Sequence, residues 1–306
     1  MTHEIRRMKT IHSIGSGVAL AALALAASAQ TPPATQPTDT DQTTALMRGQ
    51  GYDGPKVATP LGLDDKPDFT GFWRPLREPG KPGGNLGKDE PNFILPFTEK
   101  GRRAQIYAQN HTVDPEAQCI LGGIPRHNGS GLPFEVLHTP ARLAVTYNYN
   151  TNRLISIDPR LKHAAVLEPL YFGHPIAHWE ADTLVIETRG LKDSSKERIW
   201  LDENGDPTSD QTQVVERWTR PDYHHLQLQM TVTDLKYYTR PFTFTRTWVR
   251  ADEGLGQKEY ACNESNLSGE LIGPGAGVIG PDGNRGYGYT APLPEVPPGP
   301  EAYENK

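Results

Sequence analysis

The sequence predicts a mostly β domain, an antiparallel sheet closed into a barrel or folded over into a sandwich, with one or two short helices. Three observations predict it. Residues of strict period two recur through the second half of the chain. The clearest run sets Leu226, Leu228, Met230 and Val232 against Gln227, Gln229, Thr231 and Thr233, so one face is buried and the other wet. Short turn-forming connections separate such runs, as Glu180-Ala181-Asp182 and Pro221-Asp222-Tyr223 do. There is no strand–helix–strand alternation, no glycine-rich phosphate loop and no repeat of fixed length, which excludes a nucleotide-binding fold.

The elements follow in chain order. Residues 1–29 read as a signal peptide: Arg6, Arg7 and Lys9 precede an apolar stretch over 18–27, and Ala27-Ser28-Ala29 supplies a cleavage site. The residues around Arg6-Arg7 fit the general secretory route better than a twin-arginine signal. Residues 30–60, rich in Thr, Pro, Gln and Asp, read as a disordered spacer. The β-rich domain covers 61–268 and opens at Pro67-Asp68-Phe69-Thr70-Gly71-Phe72-Trp73. Thr98 caps a short helix running to about Asn110, with Gly101 as a weak point inside it. A Gly/Pro-rich loop around Cys119 follows.

Strands begin after Pro133. Leu143, Val145, Tyr147 and Tyr149 form the first arm of a hairpin that turns at Asn150-Thr151-Asn152 and returns through Leu154 and Ile157. Residues 176–179 pair with 183–188, 213–220 pair with 226–233, and 242–250 adds a further strand. A last short strand is expected over 258–262. Residues 269–306 form a Gly/Pro-rich tail that no regular element can occupy.

The chain has 306 residues, 36% of them hydrophobic, and a formal charge of −6. That balance argues against nucleic acid, whose phosphates need a concentrated basic face. No segment after the leader is apolar enough to span a membrane. Cys119 and Cys262 are the two cysteines, and an even pair in an exported chain reads as a disulfide. No zinc-type Cys/His spacing and no nucleophile elbow occur, so neither a metal nor an organic cofactor is expected.

The residues singled out for chemistry interrupt apolar faces. Glu216 shares a strand face with Val214 and Trp218, and Arg246 shares one with Phe244 and Trp248. A buried charge is costly unless paired. So either these faces are less buried than the pattern suggests, or Glu216 and Arg246 meet as an ion pair across strands, or both floor a polar cavity. His174 is the candidate proton shuttle, since imidazole titrates near neutral pH. His174 and His178 are about 13 Å apart along a strand, too far to share a metal. Glu180 and Asp182 resemble a glycosidase carboxylate pair but fit a turn better. Tyr147, Trp179, Trp218 and Trp248 are the aromatic residues expected to line a ligand cavity.

The chain also resembles a family of exported, periplasmic bacterial proteins. The resemblance rests on the Pro67-to-Trp73 run, Leu95-Pro96-Phe97-Thr98, Asp114-Pro115-Glu116-Ala117 with Cys119, and Gly173-His174. It continues in Trp179-Glu180 with Asp182-Thr183-Leu184-Val185, Trp200-Leu201-Asp202, Val215-Glu216-Arg217 and Tyr238-Thr239-Arg240-Pro241. It spans about residues 65–265 and implies a periplasmic location and the domain limits, but no reaction. Where that family has a turn glycine this chain has Ala181, and His178 is an extra imidazole. Gly71-Phe72-Trp73 resembles the Gly-x-Trp that opens the first strand of lipocalins.

Two functions of different class follow. One is a metal-free acid–base enzyme acting on a small apolar, aromatic or glycosidic compound as lyase, isomerase or hydrolase. His174 would move the proton, Glu216 would orient it or act as a second base, and Arg246 would stabilise negative charge. The other is a non-catalytic lipocalin-like carrier of a small-molecule ligand in the same cavity. A structural envelope role for the Gly/Pro tail is a third reading.

Overall fold

A computed structural model describes residues 51–52, 54–77, 84–147, 151–251, 256 and 262. Nine strands form a closed barrel in sequence order: β1 (Gly71–Pro75), β2 (Phe134–Thr139), β3 (Arg142–Tyr147), β4 (Thr151–Ile157), β5 (His174–Glu180), β6 (Thr183–Arg189), β7 (Gln213–Thr219), β8 (His225–Thr233) and β9 (Phe242–Arg250). Eight of the nine junctions are antiparallel, including the closing pair β1–β9. A ring of nine strands cannot alternate direction at every step. The parallel junction β4–β5 resolves the mismatch through two residue pairs, Ser156–Ile176 and Ile157–Ala177. The barrel thus decides between the two sheet architectures that the sequence left open.

The period-two runs point inward as expected. Leu226, Leu228, Met230 and Val232 on β8 and Leu143, Val145 and Tyr147 on β3 are buried in one core. Each buried large apolar side chain contributes roughly 1.5–3 kcal/mol. Thr151 and Asn152, assigned to the hairpin turn, already belong to β4, paired with Tyr147 and Thr146 of β3. Ala181 sits in the β5–β6 turn at φ +50°, the left-handed conformation that favours glycine.

The helix α1 (Glu99–His111) starts where the sequence places it, with the Thr98 hydroxyl accepting from the Gly101 amide at 3.0 Å. Gly101 is required for close approach: a Cβ there would lie 2.0 Å from the Tyr237 carbonyl oxygen. Ala108 of α1 packs on Trp200. A one-turn helix α2 (Arg126–Gly129) follows the loop around Cys119. Cys119 is bonded to Cys262, with Cα atoms 5.7 Å apart and a separation of 143 positions in sequence. The strand expected over 258–262 lies outside the described residues apart from Cys262, as do the leader and the tail. At the end of the segment read as a spacer, Thr59 donates to the Arg220 carbonyl at 2.7 Å and Val57 accepts from the Tyr223 amide at 2.9 Å.

Candidate functional site

The polar residues chosen from the sequence face into the barrel, but they hold a segment of the chain itself. Glu216 is fully buried, with Arg153 Nη1 2.7 Å from its Oε1. Its Oε2 accepts from Asn128 Nδ2 at 3.1 Å and from Trp218 Nε1 at 2.9 Å. Asn128 belongs to α2 and accepts in turn from the Tyr147 hydroxyl at 2.8 Å. Arg246 donates from Nε to the Gly129 carbonyl at 2.9 Å and from Nη2 to the Asn85 carbonyl at 3.2 Å, and its Nη1 lies 3.2 Å from Asp89 Oδ2. Trp248 Nε1 donates to the Leu132 carbonyl at 3.4 Å. Residues 126–132 therefore plug the barrel, held by Glu216, Arg246 and Trp248. The expected Glu216–Arg246 ion pair is not formed. On β8, Met230 lies across from Glu216, whereas Leu228 lies across from Arg246.

The aromatic cavity lining is also revised. Tyr147, Trp218 and Trp248 are 1%, 0% and 0% exposed and pack around Phe134, whose ring centroid is 6.1, 5.9 and 5.2 Å from theirs. They fill the interior. Trp179 is half-buried, stacked on Phe69 at 5.8 Å with Lys66 Nζ 5.9 Å from its ring.

His174 does not join Glu216. On β5 the inward residues are Pro175, Ala177 and Trp179, so His174 and His178 point out of the barrel. His174 Nε2 lies 2.8 Å from the Glu168 carbonyl oxygen, and His178 Nε2 lies 3.4 Å from Glu180 Oε1. The proton relay expected between His174 and Glu216 has no geometric basis, because the two side chains lie on opposite faces of the barrel wall. Glu180, expected in the turn, is instead the last residue of β5, paired with Thr183, and is bound by Arg217 Nη2 at 2.8 Å.

A second buried charge cluster lies where α1, the Cys119 loop, α2 and residues 199–206 meet. Arg126 grips Asp114 with two hydrogen bonds of 2.9 and 2.8 Å and reaches Glu116 Oε2 at 2.8 Å. Glu116 Oε1 is 3.4 Å from His127 Nδ1, and burial raises the Glu116 pKa against the lowering effect of Arg126. Burial, then the Arg126 charge, push His127 down to about 3, so its ring is neutral. Burial also pushes Glu203 up to about 7, and the nearby Glu116, Asp114 and Asp202 act in the same direction. Asp206, beside Asp202, is pushed well above the usual carboxylate range by burial and by that neighbour. Glu116, His127 and the disulfide line a pocket of about 30 Å³, room for little more than water.

Ligand-sized space lies outside the barrel. A cleft of about 460 Å³ runs between α1 with residues 112–118 and residues 194–200. Tyr107, Val113, Pro115, Ile199 and Trp200 give it apolar walls, and Gln118, Lys196, Glu197 and Arg198 give it a polar rim. Among the described residues, no group of three or more His, Cys, Asp or Glu side chains is placed to hold a metal, and no helix is long and apolar enough to cross a membrane.

Sequence reasoning missed Arg153 and Asn128. Arg153 shares its inward face with Ile155 and Ile157, the same signal that marked Glu216, and it is the partner Glu216 required. Asn128 gave no such signal, because it lies on a single helical turn. No protein-family model matches the chain, and no curated protein matches it.

Proposed function

We propose that this is an exported barrel domain that binds a small organic molecule, and that it does so in the external cleft between α1 and residues 194–200 instead of in the barrel interior. One contrast carries the reading. The interior aromatic and charged groups engage one another and the plug, whereas the cleft offers an indole and a phenol beside a polar rim in a volume typical of small-molecule sites. Apolar walls with a few polar groups at the edge suit an aromatic or glycosidic compound. Export is supported by the N-terminal leader pattern and by the Cys119–Cys262 disulfide, which persists in oxidising compartments. The Gly71-Phe72-Trp73 run, on the first strand, is consistent with a lipocalin-like origin, although a lipocalin barrel has eight strands and keeps its ligand inside.

The test is a ligand-detected NMR screen of small aromatic and glycosidic compounds against wild type and Gln118→Trp, which fills the cleft from its rim. Compounds that bind wild type should lose their signal with the variant. Binding that the variant leaves intact would overturn the cleft assignment.

Acid–base catalysis is a second reading, favoured by the raised carboxyl of Glu116 beside the neutral ring of His127. The small pocket in front of them makes it the weaker one, since a substrate would have to displace part of the loop around Cys119. Turnover of a bound compound that Glu116→Gln abolishes would favour catalysis. Binding without turnover would favour the carrier.

A further inference from the structure

A second cleft, of about 450 Å³, opens on the outer wall of the barrel against the connection between β4 and β5. Its position follows from strand alternation. With Ala177 and Trp179 on β5 and Leu184, Ile186 and Thr188 on β6 turned inward, Ile176, His178, Glu187 and Arg189 face out together. Lys162 and His163 come from the connection and close the other side. Residues 13 to 27 positions apart in sequence are thereby gathered around one concavity.

The charge there runs against that of the whole molecule. The chain carries a formal −6, yet the cleft is lined by Lys162, Arg189, His163 and His178 with Glu187 as its lining carboxylate, and Glu180 lies beside His178. Neighbouring surface cations have carboxylate partners. Arg160 is held by Asp158 at 2.9 and 2.8 Å, and Arg217 by Glu180 at 2.8 Å. Among the described residues, Lys162 and Arg189 have no such partner. The Arg189 guanidinium is close enough to His163 to oppose its protonation, second only to burial, which places that charge at the cleft. Leu161 and Ile176 supply an apolar strip beside the cations.

We propose that this cleft binds a small organic oxyanion, with Lys162 and Arg189 holding the anionic group beside the rings of His163 and His178, and an apolar portion resting on Leu161 and Ile176. Arginine and lysine around a concave, partly apolar floor are the arrangement that selects such a group. The site is separate from the cleft beside α1 and does not depend on it.

The test follows the imidazole signals of the full mature protein by NMR while inorganic phosphate, acetate or hexanoate is added at fixed pH and ionic strength. Saturable shifts of His163 and His178 are expected, with hexanoate binding more tightly than acetate because of its chain. The double variant Lys162→Ala/Arg189→Ala should weaken binding at least tenfold. Both side chains lie on the surface, and an unchanged backbone spectrum checks that the fold is intact. The proposal is overturned if no probe gives saturation, if the double variant binds as wild type does, or if His224 and His225 at the start of β8 shift equally.

Discussion

Two buried arginines sit in opposite situations. Inside the barrel Arg153 faces one carboxylate, Glu216, whose other oxygen is hydrogen-bonded by Asn128 and Trp218. Where α1, α2 and the Cys119 loop meet, Arg126 faces Asp114 and Glu116 directly, with Glu203 and Asp202 in the same field. The first centre balances one charge with one charge. The second has more carboxylates than cations, and burial resolves the excess by keeping protons on some of them. The Arg126 cluster is therefore built to respond to pH.

The largest expected effect comes from removing the cation of the crowded centre. Arg126→Met should cost about 5 kcal/mol in urea unfolding at neutral pH, because it strands several buried carboxylates at once. Arg153→Met should cost about 3 kcal/mol, since one carboxylate is left and it keeps two donors. Equal losses would erase the distinction between the centres.

The pH dependence comes next. Glu203, at about 7, binds its proton more tightly in the folded than in the unfolded chain. Its contribution is full below the ordinary glutamate range and is lost as pH rises through 7. Wild type should thus lose on the order of 3 kcal/mol relative to Glu203→Gln between pH 4.5 and 8. His127, at about 3, has the opposite sign: its contribution is present above the ordinary histidine pKa and is lost as pH falls toward 3. His127→Gln should flatten the acid side of the profile and leave the alkaline side unchanged.

A smaller effect sharpens the barrel side of the comparison. Adding Glu216→Gln to Arg153→Met should recover about 2 kcal/mol, because glutamine keeps an acceptor for Asn128 and Trp218 without a charge to strand. The smallest lies outside both centres. Ala181→Gly should raise stability by about 1 kcal/mol, through relief of the left-handed conformation at the β5–β6 turn.

Alternation made β3, β4, β7, β8 and most of β9 legible because each has one buried and one wet face, whereas β6 also buries Val185 on its outer side. The first two strands break that rule. On β1 both Phe72 and Trp73 are buried, because Phe72 is covered by Ala251 on the outer side, and β2 exposes Leu137 at 56%. The parallel step at β4–β5 is a property of the ring as a whole and leaves no local mark in the sequence. For the site, Glu216 and Arg246 were legible as charges on apolar faces, but their use was not. Their partners Asn128 and Gly129 lie 88 and 117 residues away on a one-turn helix with no periodicity of its own. The Arg126 cluster draws on several irregular segments, and only the assembled fold brings them together. His174 was chosen for its chemistry, and the parity of β5 turns it outward.

The five tryptophans allow the most direct test of where a ligand binds. Their indole N–H signals report separately on the barrel interior, through Trp73, Trp218 and Trp248, and on the external cleft, through Trp200. A compound that binds the isotope-labelled protein should shift the Trp200 signal and leave Trp218 and Trp248 in place. Shifts of Trp218 and Trp248 with Trp200 unmoved would show that the ligand enters the barrel, and would contradict the account of a plugged interior.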